Sequence, residues 1–172
     1  MSAPPAASAT TDRAFDRVFR AEYGKVVGIA ARVLGDRARA EDVAQDAFLA
    51  LHRRQCSEQA WAGGWVCAAA AHMALNTLRS DRRRGRREQL ALAATEAVDP
   101  AVAVERADDG RLLRTALGRL SQRAATVLVL RHSGLSYAEV AAAMDVRQGD
   151  VGTMLRRAES ALRKEVDRAA SQ

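Results

Sequence analysis

GGWVCAAAAHMALNTLRSDRRRGRR, residues 63–87, runs from an uncharged, alanine-rich half into a burst of arginines. Three readings compete for it: a membrane anchor with a positive flank, a core helix with a solvated tail, or a surface that holds nucleic acid. Residues 59–78 carry no charge, which is just enough length to cross a bilayer. They also include Gln59, His72, Asn76 and Thr77, with alanine where a spanning helix carries leucine, so the segment would insert poorly. Helical spacing instead puts Val66, Ala69, Ala70, Met73 and Thr77 on one face and Ala68, His72, Leu75 and Arg79 on another. Beyond Leu78 the run RSDRRRGRR has no apolar partner positions, and the helix is expected to fray there.

The composition around this stretch supports an all-α fold. The 172 residues suffice for one ordinary domain or two small ones. Hydrophobic residues make up 48% of the chain and aromatics only 4%, so alanine supplies much of the apolar content and favours thin, closely packed helix interfaces. Pro4 and Pro5 lie in a terminal segment, MSAPPAASATT, that lacks the basic start and apolar run of a signal peptide. It is expected to be a disordered tail over residues 1–11. The net charge of +6 is almost entirely arginine, whose planar guanidinium suits phosphate and base contacts. Cys56 and Cys67 have no metal-ligand or CxxC spacing and read as reduced thiols of a cytoplasmic protein.

On the N-terminal side, Phe15, Val18, Phe19, Tyr23, Val26, Val27, Ala30 and Leu34 mark a helix with one buried face, closed by Gly35. AEDVAQDAFLALHRR (40–54) follows with Val43, Ala47 or Phe48, and Leu51 as its stripe, and with acidic residues in its first turn. A loop around QCSEQ leads into the 63–87 stretch. Residues 88–107 turn from basic to acidic and contain Pro100, which marks a linker. After it, Leu112, Leu113, Ala116, Leu117 and Leu120 form a helix ending at Ser121. Ser121 N-caps the next helix, which Gly134 closes. Ser136 and Glu139 have capping-box spacing, and Asp145-Val146 makes a tight turn before a long basic helix. Helix, short turn and longer basic helix form a helix-turn-helix pattern.

Taken together, these residues resemble an extracytoplasmic-function (group 4) sigma factor of bacterial RNA polymerase, in the sigma-70 family. AEDVAQDAFLALHRR resembles the family's second-region motif, and GLSYAEVAAAMDVRQGDVGTMLRRAESALR (134–163) its fourth-region helix-turn-helix. The resemblance implies two small helical domains joined by a flexible linker: region 2 over 12–88, the linker over 89–107 and region 4 over 108–172. It further implies an alternative sigma factor that binds polymerase core, reads the minus-35 and minus-ten promoter elements and initiates transcription of a specific regulon. Its expected partners are the β′ clamp helices and β flap of RNA polymerase core, promoter DNA and a separate anti-sigma factor.

Residue by residue, the resemblance places Glu41, Asp42, Gln45 and Asp46 against the polymerase. Trp61, His72, Asn76, Arg79, Arg82, Arg83 and Arg84 fall to the minus-ten element. Ser136, Tyr137, Arg147, Gln148, Thr153, Arg156 and Arg157 fall to the minus-35 element. Trp65 reads as a core residue. The family reads bases flipped from the stack, which costs a few kcal/mol that aromatic stacking can return. This chain departs from the family at Ala68, Ala71 and His72, where many members carry arginines and an asparagine, and at Gly152 and Met154, often lysine and arginine. Asp150 replaces a small hydroxyl residue and could accept from a cytosine amino group. An atypical promoter is expected.

Two other classes remain open on the residues alone. One is a sigma-like interaction protein that does not support initiation; the other is a helix-turn-helix regulator, which would leave the 40–54 motif unexplained. An enzyme is not expected. His52, His72 and His132 are scattered, and no phosphate loop, metal-ligand cluster or cofactor motif occurs.

Overall fold

The computed structural model describes residues 6–92 and 105–171, which contain seven helices and no strand. These are α1 (Ala6–Leu34), α2 (Arg37–Arg54), α3 (Ala62–Leu92), α4 (Glu105–Arg119), α5 (Gln122–His132), α6 (Tyr137–Met144) and α7 (Gln148–Ala170). The all-α expectation holds. Most of the expected linker, residues 93–104, lies outside the described residues, and both of its ends are helical. The first helix likewise begins at Ala6, inside the segment expected to be a tail.

Helix boundaries follow short-range chemistry. Gly35 closes α1 at φ +69° and donates its N–H to Ala31 O at 2.8 Å. Asp36 then caps α2, its carboxylate accepting from the Arg39 N–H at 3.1 Å. This cap starts α2 at Arg37, earlier than the 40–54 stretch suggested. Glu41 and Asp42 therefore stand in the second turn, beyond the strongest part of the helix dipole. Gln55 ends α2 in the left-handed region at φ 50°. Ser121 caps α5 by accepting from the Ala124 N–H at 3.3 Å, and Gly134 turns the chain at φ +93°.

α3 does not fray at Leu78. Its basic half continues as helix to Leu92. Asp81 pairs with Arg39 of α2 and lies 3.7 Å from Arg84, while Leu78 and Arg82 pack near Gly118 of α4. Arginine is also a good helix former, so no apolar stripe is needed to carry the helix on.

α1, α2 and α3 pack on one another, and α4 to α7 form a second set in which α7 packs on α4, α5 and α6. The two sets are the two expected helical domains, and they pack on each other. A single cluster of buried side chains runs from Val26 of α1 to Ala158 of α7. Ile29, Leu51, Leu75 and Leu130 are among its largest fully buried members. Burial of each such side chain stabilises the fold by about 1.5–3 kcal/mol. On α1 and α2 an aromatic group thickens the core, with Phe48 edge-on to Phe19 at 4.8 Å between ring centroids. Leu113, assigned to the α4 stripe by spacing, is instead exposed.

Candidate nucleic-acid interface

α2 divides its residues sharply between core and solvent. Val43, Ala44, Ala47, Phe48 and Leu51 are buried, whereas Asp42, Gln45 and Asp46 are exposed. Glu41 is half-buried and accepts from Arg37 Nε at 3.0 Å. The polar set contributes nothing to the core and is available to another molecule. Leu49, one turn beyond Gln45 and Asp46, shares this surface and is 50% exposed. The sequence reading missed it, although its seven-residue spacing from Asp42 could have revealed it.

Between α2 and α3 lies an open groove of about 470 Å³, lined by Arg53, Arg54, Trp65, His72, Met73 and Asn76 among others. Trp65, which reads from the sequence as a core residue, lines this groove. Its ring borders the groove while also packing on the core, and the Arg54 guanidinium lies 5.0 Å from its centroid. Trp61 is exposed at the preceding turn and is not among the groove's lining residues. Arg53 and Arg54 were also missed. They end the second-region motif, and only the packing of α2 on α3 brings them beside His72 and Asn76. An aromatic ring with a guanidinium over it, beside a second arginine and two polar side chains, can hold a phosphate and the edge of a base. Partial burial holds the His72 imidazole below its ordinary pKa, and the Arg79 charge adds to the effect. A neutral ring suits hydrogen bonding to a base edge.

The arginines that follow divide in two. Arg83 and Arg84 are exposed along the far half of α3. Arg79 is instead drawn inward. Its Nη2 donates to Leu120 O at 2.8 Å, its Nε to Gly118 O at 3.3 Å, and its Nη1 to Gln122 Oε1. Arg82 and Arg83 share a groove with Arg79 and Gly118.

The helix-turn-helix forms as its spacing predicts. Ser136 and Glu139 close a reciprocal capping box on α6, and Asp145 takes the left-handed conformation at φ 52°. The Val146 N–H then reaches Ala141 O at 3.0 Å. Along α7, Val151, Leu155 and Ala158 are buried, which turns Gln148, Asp150, Arg156 and Arg157 outward. Arg147 is exposed just before the helix and Thr153 is half-buried. Arg156 Nη2 donates to Thr153 Oγ1 at 3.2 Å, fixing the guanidinium over a shallow groove that also includes Arg157, Ser160 and Lys164. Tyr137 is exposed beneath Arg131, whose guanidinium lies 5.4 Å from its ring centroid. The ring covers Gly152, where an added Cβ would stand 3.6 Å from Tyr137 Cε2.

No group of three or more metal-ligating side chains occurs among the described residues, and no helix there is long and apolar enough to cross a membrane.

Comparison with known proteins identifies the family of both sets of helices. The family profile for sigma-70 region 2 matches residues 18–84, and that for sigma-70 region 4 matches residues 110–162. Two curated relatives, both named probable ECF RNA polymerase sigma factor SigI, come from Mycobacterium tuberculosis strains CDC 1551 / Oshkosh and ATCC 25618 / H37Rv. Each is 33% identical over 131 residues, which cover 72% of this chain and 45% of the relative. The chain thus matches less than half the length of these relatives. A chain of the co-crystal structure of the sigma factor RpoE with the anti-sigma factor NepR from Bartonella quintana gives a TM-score of 0.48 at 22% identity. That alignment covers 89% of this chain and 96% of the other.

Proposed function

The chain belongs to the sigma-70 family, and from that premise we propose that it is a promoter-specificity subunit of RNA polymerase, cytoplasmic and without catalysis of its own. The observation that carries this reading is the division of α2: Asp42, Gln45 and Asp46 are exposed on a helix whose other side is fully committed to the core. A helix-turn-helix regulator acting alone has no use for such a surface. A polymerase subunit does, with Glu41 and Leu49 extending the contact towards the β′ clamp helices.

In this reading, region 2 spans 12–88 and region 4 spans 108–172. The groove of Trp65, His72 and Asn76 takes a base from the melted minus-ten strand, and Arg82, Arg83 and Arg84 hold its backbone. Trp61, exposed one turn before Trp65, joins this contact. On α7, Arg147, Gln148, Thr153, Arg156 and Arg157 meet the minus-35 element, with Ser136 and Tyr137 beside them and the β flap on region 4. Exposed Asp150 sits among these cations and favours a base that donates, such as cytosine.

The test is run-off transcription by purified chain and polymerase core on DNA selected by the assembled complex. A specific transcript is expected. Core binding without a transcript from any selected fragment would instead support the sigma-like interaction protein.

A further inference from the structure

Gln148, Gly152 and Arg156 follow one another along α7 at steps of four, the spacing of a single helical face. Gln148 and Arg156 are exposed, and between them Gly152 offers no side chain. Glycine inside a helix is less stable than alanine, and here it leaves one flank of the helix clear. The ring of Tyr137, the first residue of α6, lies on that flank: a Cβ added to Gly152 would stand 3.6 Å from Tyr137 Cε2. Tyr137 is nonetheless 42% exposed. Its place is fixed from two directions. The capping box holds the backbone at Ser136, immediately before it. The Arg131 guanidinium lies over the ring at 5.4 Å from its centroid, and Arg131 Nη1 donates to Leu135 O at 3.0 Å. Leu135 is buried and follows the turn at Gly134, so one arginine ties the end of α5, the turn and the Tyr137 ring together.

We propose that Tyr137 reads a base in place of the side chain that position 152 lacks, that this base is a thymine, and that Arg131 is the residue that positions the ring. The proposal rests on the reading of α7 as the minus-35 helix, and adds to it one base identity and one positioning residue. In a helix-turn-helix the second helix lies in the major groove while the first crosses the DNA backbone. Tyr137 stands where α6 meets α7, over the stretch between Gln148 and Arg156. An aromatic ring has little to offer the donors and acceptors of a base edge, and the apolar feature of the major groove is the thymine C5 methyl. A planar guanidinium stacked on the ring keeps it from swinging into solvent. Lysine in its place would lack the fork that holds Leu135 O and the ring at once.

Deoxyuridine differs from thymidine by that methyl alone. The full chain is assembled with polymerase core, and duplexes carrying the minus-35 element it selects are compared by fluorescence anisotropy as each thymine in turn becomes deoxyuridine. One replacement should weaken binding about fourfold, the worth of one buried methyl-sized group. Tyr137→Phe should keep that loss and Tyr137→Ala should abolish it. Arg131→Ala should shrink it to under about twofold, and Arg131→Lys should do the same. The series on the unaltered chain and the Phe variant need no disruptive substitution, so the result stands even where an alanine variant fails to fold. A selected element without thymine, or one in which every thymine can be replaced without loss, would overturn the proposal. So would equal behaviour of Tyr137→Phe and Tyr137→Ala, which would assign the hydroxyl to a phosphate. A methyl loss undiminished in both Arg131 variants would remove Arg131 from its role. If the complex selects no DNA, the sigma reading fails and this proposal with it, whereas a selected element indifferent to every methyl sinks this proposal alone.

Discussion

The Ser136 hydroxyl accepts from the Glu139 N–H at 3.2 Å, and the Glu139 carboxylate accepts from the Ser136 N–H at 2.7 Å. The bond from the Ser136 backbone is the first cause holding the Glu139 carboxyl below its ordinary pKa of 4.5, with the Ser136 side chain next. Because the folded value is depressed, the stabilisation is present above pH 4.5 and is lost as pH falls through the folded value. Ser136→Ala should lower stability by about 1 kcal/mol in urea titrations. Glu139→Gln should reduce the loss of stability on acidification below pH 4.5. An unaltered acid limb in that variant would contradict the assignment.

Asp145 provides a second test of the same motif. At φ 52° it occupies a region that costs an ordinary side chain about 1–2 kcal/mol. Asp145→Gly should be neutral or mildly stabilising, whereas Asp145→Val should lower the midpoint of thermal unfolding and weaken duplex binding. Equal stability of the two variants would show that the turn tolerates other conformations.

The two cysteines should react very differently. Burial, and then the charge of Glu22, push the Cys67 thiol up to about 12, with its Sγ 3.8 Å from Glu22 Oε2. Cys56 is half-buried. Iodoacetamide at neutral pH should modify Cys56 in the native protein and Cys67 only after denaturation. Peptide mass mapping checks this, and prompt native labelling of Cys67 would refute it.

In the proposed reading, Arg156 on α7, bonded to Thr153, reads a base, and exposed Arg83 on α3 holds phosphate. Arg156→Ala should cost about 1–3 kcal/mol of specific binding and relax sequence preference. Arg83→Ala should weaken all sequences alike and reduce the salt-dependence slope by about one. Fluorescence anisotropy of the polymerase complex across a salt series separates the two, and identical profiles would reject the division.

Leu75 and Leu113 make a contrast in the core. Leu75→Ala should destabilise by about 2–5 kcal/mol, because its site is fully buried. Leu113→Ala, at an exposed position, should stay within about 0.5 kcal/mol. Chemical denaturation of both variants gives the comparison.

These residues also show how far the amino-acid order alone reaches. Gly35, Ser121, Ser136 and Asp145 announce their structures because caps and turns act across three or four residues. The buried stripe of α2 is equally legible, since helical period sorts Val43, Ala47, Phe48 and Leu51 from Asp42, Gln45 and Asp46. Asp36 was within reach as a cap but was hidden by the acidic pair after it.

Other features needed partners distant in the chain. The arginine run looked like a frayed end because apolar period cannot register the pairing of Asp81 with Arg39 of another helix. Trp61 and Trp65 differ by one helical turn, and only the approach of α2 places Trp65 beside the polar groove. Above all, Ala68 and Ala71 stand out in the sequence only as departures from the family's basic residues. Small side chains fit both an empty face and a close helix contact, so periodicity leaves the choice open. Their burial resolves it: helical period gives the direction a side chain faces, and its neighbour there comes from the tertiary fold.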